Sequence, residues 1–208
     1  MIKAIIFDVD GVLIDSFEAN LKLFQNLMPA AGYPSPTREQ YAVLFSLTGA
    51  DVIKNLIGSS SPEENARILQ IYKDHKVIYP VNLVNLSDGV AETIEALNEN
   101  YLLAVATSRI QQSVYEVPAL AKLEKYFRVT AAFENTEKHK PSPDPLLYAA
   151  KELGVEPGEC VYVGDVENDI KAARAAGMKS ILYSKTIAPG ADAITADFRD
   201  LPGLLKNL

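Results

Sequence analysis

The chain has 208 residues, enough for one domain or one domain with a small accessory unit. Apolar residues make up 48% and charged residues 23%, an ordinary globular balance that excludes disorder and allows a core without disulfides or a structural metal. Asp and Glu number 27 against 20 Lys and Arg, a net charge of −7, which excludes a domain-wide basic footprint for nucleic acid and disfavours an anionic membrane surface.

In chain order, Ala4 to Phe7 is a short, continuous apolar run, as expected of a strand covered on both faces. It reaches an acid at Asp8, too soon for a secretory signal, and no uncharged run approaches the roughly 20 residues of a membrane span. From Ser16 to Ser87 no strand is expected. Asp15 and Glu18 suggest a capping box before a helix carrying Phe17, Leu21, Phe24 and Met28. Helical stretches follow around Glu39 to Leu47, Asp51 to Ile57 and Glu63 to Tyr79, with breaks at Gly32 to Pro36 and Gly58 to Pro62.

Beyond this stretch strand and helix alternate. Asp88 can cap a helix bearing Val90, Ile94 and Leu97. Strands are expected at Leu102 to Ala106, Val129 to Phe133, Val161 to Val163 and Ser180 to Tyr183. One helix starts at Asp144-Pro145 and stops at Gly154, and another runs from Asn168 to Ala176 before Gly177. The pattern predicts an α/β fold, a doubly wound, mostly parallel sheet formed by residues 1–15 and 88–208, with residues 16–87 inserted as a small helical unit. The lone cysteine, Cys160, excludes an intramolecular disulfide and a multi-cysteine zinc site; it reads as a small buried residue of a protein in a reducing cytoplasm.

Four clusters lie at or just after expected strand ends, the edge where open α/β sheets bind ligands. Asp8 and Asp10 point the same way while the chain stays extended, and two close carboxylates call for a cation or a shared proton. Thr107-Ser108-Arg109 offers a hydroxyl and backbone N–H groups suited to phosphate oxygens. Lys140 stands in a proline-stiffened loop, Lys138 to Pro145, that can hold its ammonium in place. Asp165 and Asp169 flank the start of a helix, near its positive end. Each cluster alone has an ordinary explanation as a solvated turn, a basic loop or a helix cap. Their succession at strand ends does not. Asp8, Asp10 and Asp165 form an oxygen-rich set that suits Mg2+, and a carboxylate attacking phosphorus gives an aspartyl-phosphate.

The segments DVDGVLIDS, ATSR, KHKPSPDP and GDVEND, in that order over Ile2 to Tyr183, resemble the four motifs of the haloacid dehalogenase-like superfamily of phosphohydrolases. The resemblance implies a cap in the helical insertion. It makes Asp8 the nucleophile and Asp10 the general acid and base. It gives Thr107 and Ser108 to the phosphoryl oxygens, with Arg109 touching phosphate or substrate, or merely solvated. It implies that Lys140 offsets negative charge, that Asp165 ligates Mg2+ with Asp8 and the carbonyl of Asp10, and that Asp169 ligates it too or supports a ligand. The expected activity is Mg2+-dependent hydrolysis of a small phosphorylated metabolite beneath the cap, with no nucleic acid or membrane partner. The acid at Asp10 argues against a dehalogenase and a phosphonate hydrolase. Asn20, where related mutases carry a cap histidine, argues against a phosphosugar mutase, the first alternative. A degenerate regulatory member is the second.

Overall fold

Ala4-Ile5-Ile6-Phe7 opens the chain as β1, with all four residues buried. The structure, a computed structural model, describes residues 1–45, 47–184 and 190–208. The remaining strands are β2 (Ile14–Asp15), β3 (Asn85–Leu86), β4 (Leu102–Ala106), β5 (Phe127–Ala131), β6 (Cys160–Gly164), β7 (Lys179–Tyr183) and β8 (Ala193–Thr195). Six of them form one sheet in the order β5-β4-β1-β6-β7-β8, with every pairing parallel. The chain steps outward from β1 through β4 to β5, then returns to the other side of β1 and steps out through β6, β7 and β8. That reversal is the topological switch point of a doubly wound sheet.

By contacts the chain falls into two units, Met1–Asp15 with Asn85–Leu208, and Ser16–Val84. The second unit is helical: α1 (Phe17–Ala30), α2 (Arg38–Ala42), α3 (Gly49–Ile57) and α4 (Pro62–Lys73). The sheet unit carries α5 (Val90–Asn98), α6 (Gln111–Val114), α7 (Pro118–Ala121), α8 (Asp144–Leu153), α9 (Glu167–Ala176) and α10 (Leu201–Leu205). Alternate residues of each strand serve opposite faces of the sheet. Ala4, Ile6, Ala104, Ala106, Ala131, Cys160 and Tyr162 pack with Leu146, Ala149 and Ala150 of α8 and Ala172, Ala173 and Ala176 of α9. Phe7, its side chain on the other face, stacks on Phe198 at 5.8 Å between ring centroids and meets Phe127 edge-on at 6.3 Å.

Several local expectations are corrected. β5 lies two residues earlier than Val129 to Phe133, because Phe127 is needed against Phe7 and the Asn135 side chain accepts the Ala132 N–H, closing the strand in a short helical turn at Phe133–Asn135. β3 is a strand inside a stretch expected to hold none. It is only two residues long and pairs antiparallel with β2, Ile14 opposite Leu86 and Asp15 opposite Asn85. The Asp15/Glu18 capping box does not form: Ser16 is the N-cap, its hydroxyl accepts from Asn20, and Glu18 pairs with Arg38. Asp88 does not cap α5; Gly89, at φ 81°, does. The helix expected to reach Leu47 stops at Ala42, and residue 46 lies outside the described residues. The helix expected to reach Tyr79 stops at Lys73, where His75 turns left-handed at φ 55°.

Candidate active site

The register of the sheet carries the acids to one edge. Phe7 of β1 pairs with Val105 of β4 and with Val163 of β6, so Asp8, Thr107 and Asp165 all emerge just beyond the C-terminal ends of three adjacent strands. Asp8 is anchored through its own N–H to the Val163 carbonyl at 2.9 Å, and its Oδ1 accepts the N–H of Val9 at 2.8 Å. After Asp10 the chain turns sharply. Gly11, at φ 78°, is the residue that lets it, and a Cβ there would stand 2.1 Å from Asp165 Oδ2. Gly164 is under a similar demand, since its Cβ would fall 2.3 Å from the Cβ of Asp169. Two glycines thus give the carboxylates room to converge.

Lys140 stands at the centre of the charge. Its Nζ lies 2.7 Å from Asp8 Oδ2 and 2.8 Å from Asp169 Oδ1, with its side chain only 6% exposed. It also donates to the hydroxyl of Tyr162 at 2.8 Å, and that hydroxyl donates to the Ala106 carbonyl at 3.0 Å. Asp169 is fully buried and engaged on both oxygens. Oδ1 faces Lys140, and Oδ2 accepts the backbone N–H groups of Asp165 at 3.0 Å and Val166 at 3.2 Å.

Burial and mutual repulsion leave this cluster short of positive charge. Burial pushes the Asp8 carboxyl up to about 7, although the Lys140 ammonium pulls it down. Burial, reinforced by the charges of Asp8 and Asp169, pushes Asp165 up to about 8. Burial works against the Lys140 ammonium too, but Asp169 and Asp8 outweigh it and hold its pKa well above the usual value. Three carboxylates face one ammonium. Oxygens of Asp8, Asp165 and Asp169 lie within 4.8 Å of one another. An all-oxygen, electron-rich, desolvated donor set of this kind fits a hard divalent cation such as Mg2+, whose charge would offset the burial and, beside it, the repulsion that lift Asp8 and Asp165.

Asp10 is placed differently from the other acids. Its carboxylate faces Arg109, whose Nε and Nη2 donate to its two oxygens at 2.7 and 2.8 Å. The Asp10 side chain is therefore not among the converging acids. The third arm of the guanidinium, Nη1, donates to the Ser113 carbonyl at 3.1 Å. Thr107 is buried, its N–H on the Ala131 carbonyl and its hydroxyl accepting the Arg109 N–H at 3.2 Å. Ser108 follows it at the same edge, half-buried.

Two features escaped the sequence reading. Tyr162 looked like one more apolar residue of Val161 to Val163; the available signal was a phenol in a run expected to be buried on both faces, where its hydroxyl needs a partner, two residues before Gly164. The Arg109–Asp10 pair spans 99 positions, and no local pattern marks it.

The description "Haloacid dehalogenase-like hydrolase" belongs to a family whose pattern matches residues 5–183. Pyrophosphatase PpaX of Halalkalibacterium halodurans is 29% identical over 188 residues, 89% of this chain and 85% of that one. Phosphoglycolate phosphatase of Salmonella choleraesuis is 29% identical, over 96% of this chain and 91% of its own. Among solved structures, CbbY from Rhodobacter sphaeroides in complex with phosphate is 28% identical with a TM-score of 0.81, covering 97% of this chain and 96% of that one. With the pattern matched from β1 to β7, the chain belongs to the haloacid dehalogenase-like hydrolases and is an enzyme.

Proposed function

We propose that the chain is a Mg2+-dependent phosphatase that hydrolyses a small phosphorylated metabolite through an aspartyl-phosphate on Asp8. The observation that carries this reading is the convergence of Asp8, Asp165 and Asp169 around Lys140 at the switch point of the sheet. Relatives named phosphatase and pyrophosphatase, similar over most of their length, support the same chemistry.

In this reading Asp8 and Asp165, with the carbonyl of Asp10, hold the metal. Asp169, saturated by Lys140 and two backbone N–H groups, orients the lysine and the Asp165 loop. Bound Mg2+ supplies positive charge against the phosphoryl oxygens and the acids. Thr107 and Ser108 hold phosphoryl oxygens. An oxygen of Asp8 attacks phosphorus, the phosphorus–ester oxygen bond breaks, and protonated Asp10 gives its proton to the leaving oxygen. Asp10 then takes a proton from water, whose oxygen attacks the phosphoryl-Asp8, releasing phosphate and restoring the carboxylate. Lys140 stays fixed throughout and offsets the charge that gathers on Asp8 and phosphate. The helical unit Ser16–Val84 serves as the cap that chooses the substrate, and its insertion directly after the Asp8–Asp15 segment supports that role.

The test is phosphate release from a panel of phosphorylated metabolites, with Mg2+ and with chelator. One or a few esters should turn over at kcat/KM on the order of 10⁴ M⁻¹s⁻¹ or better, only with the metal. Asp8→Asn should lower kcat by at least about 10³-fold with its circular dichroism spectrum unchanged. Metal-independent turnover, or an active Asp8→Asn protein, contradicts the reading.

A further inference from the structure

His139 and Lys140 are consecutive residues with different destinations. The Lys140 side chain reaches Asp8 and Asp169. The His139 imidazole lies flat on the Phe133 ring, with centroids 3.9 Å apart and planes 19° from parallel. The stack joins two segments. Residues 136–143, between the turn at Phe133–Asn135 and α8, form a loop without helix or strand. Two bonds within it, from the Thr136 hydroxyl to the Lys138 carbonyl at 2.9 Å and from the Ser142 N–H to the His139 carbonyl at 2.9 Å, shape the loop but do not tie it to the sheet. The Phe133 side is tied. The Phe133 N–H donates to the Arg109 carbonyl at 2.8 Å, and the Glu134 carboxylate accepts the Gln111 N–H at 2.8 Å. The turn is thus pinned to the segment that directly follows Thr107 and Ser108. From the phosphoryl-holding residues to the lysine, the connection runs through Arg109, Phe133 and His139.

That connection matters because the ammonium end of Lys140 has a changing partner. Nζ is held by Asp8, Asp169 and the Tyr162 hydroxyl. Asp8 loses its charge as it attacks phosphorus, so one of these contacts weakens during each turnover. The flexible stem of a lysine would let the ammonium wander at that moment. A backbone clamped beside it keeps the origin of the side chain fixed through both steps. Misplacing a catalytic group by about 1 Å costs on the order of 10²-fold in rate.

We propose that the Phe133–His139 stack is a clamp that sets Lys140 in register with Thr107 and Ser108, and that His139 is a positioning residue for phosphoryl transfer. The inference rests on the phosphatase reading and deepens it. His139 acts through Lys140, as a flat ring and not through its protons.

Steady-state kinetics on p-nitrophenyl phosphate and on the best ester of the panel, with Mg2+, test it. His139→Ala should lower kcat by about tenfold or more and leave KM within about threefold. His139→Phe, which keeps the flat ring and removes the imidazole protons, should hold kcat within about threefold of the wild type. Phe133→Leu should behave as His139→Ala does, and it carries the test alone if His139→Ala does not fold. The two substitutions together should lose no more than about twofold beyond either one, since both remove the same stack. Unchanged kcat in His139→Ala, a loss that His139→Phe does not restore, a KM that rises as much as kcat falls, or multiplied losses in the double variant would overturn the clamp. A second reading does not depend on activity. In proton–nitrogen NMR spectra the Lys140 ammonium, identified by its loss in Lys140→Met, should be sharp in the wild type and in His139→Phe and broadened in His139→Ala. An equally sharp signal in His139→Ala overturns the clamp and leaves the phosphatase reading standing. If the wild type hydrolyses no ester, the phosphatase reading falls, and the spectra still decide whether the stack holds the lysine.

Discussion

The hydroxyl of Tyr162 accepts the Lys140 ammonium at 2.8 Å and passes its own proton to the Ala106 carbonyl at 3.0 Å, fixing the lysine from behind while Asp8 and Asp169 hold it in front. A hydrogen bond to a charged, buried group is worth roughly 1.5–3 kcal/mol. Tyr162→Phe keeps the ring among its alanines and removes that bond together with the hydroxyl's bonds to the Ala106 carbonyl and Asp169 Oδ1. It should lower kcat by about tenfold or more and leave KM within about threefold, since in the proposed mechanism the lysine meets the transferring charge and not the body of the substrate. Equal changes in the two constants, read by steady-state kinetics, would contradict the assignment. At this scale the sequence was informative wherever chemistry sits in short, ordered strings. Asp8, Asp10 and Asp165 were marked by position just after a strand, Lys140 by its proline-stiffened loop and Asp169 by the start of a helix. The partner of each was not, because Arg109 meets Asp10, and Tyr162 meets Lys140, only once the strands are laid side by side.

Among the elements, β1, β4, β6 and β7 were legible because burial on both faces leaves nearly unbroken apolar runs. α8 and α9 were marked by their stop signals, Gly154 at φ 71° and Gly177 at φ 73°. β8 carries only Ala193, Ile194 and Thr195 at the sheet edge, too short a pattern to stand out. Its neighbourhood is nevertheless tied into the core. Phe198 is fully buried, stacked on Phe7 and edge-on to Tyr183 at 5.6 Å. Phe198→Ala should cost about 3–5 kcal/mol in urea unfolding with little change in slope. A loss under about 1 kcal/mol would show that the C-terminal segment is not part of the cooperative core.

For the molecule as a whole, the charge imbalance at the site links folding, metal and pH. Asp8 and Asp165 titrate near 7 and 8 in the native, metal-free protein but near 3.8 unfolded. The native state therefore binds more protons between about pH 4 and 8, and stability falls as pH rises through that window. Lys140, raised well above its usual value, and Tyr162, raised by burial, titrate beyond it. The metal-free protein should melt lower at pH 9 than at pH 6, and Mg2+ should raise Tm by at least about 3 °C more at pH 9. Equal Mg2+ effects at both values would remove the cation from the acidic cluster. The net charge of −7 foretold none of this, because the site's field is set by three acids and one lysine within a few ångströms. The most direct test of the central claim is borohydride trapping during turnover, which reduces an aspartyl-phosphate to homoserine, read by peptide mass spectrometry. Homoserine should appear at position 8 alone and vanish with chelator. Continued phosphate release with Asp8 unmodified, or trapping at another aspartate, would contradict the account.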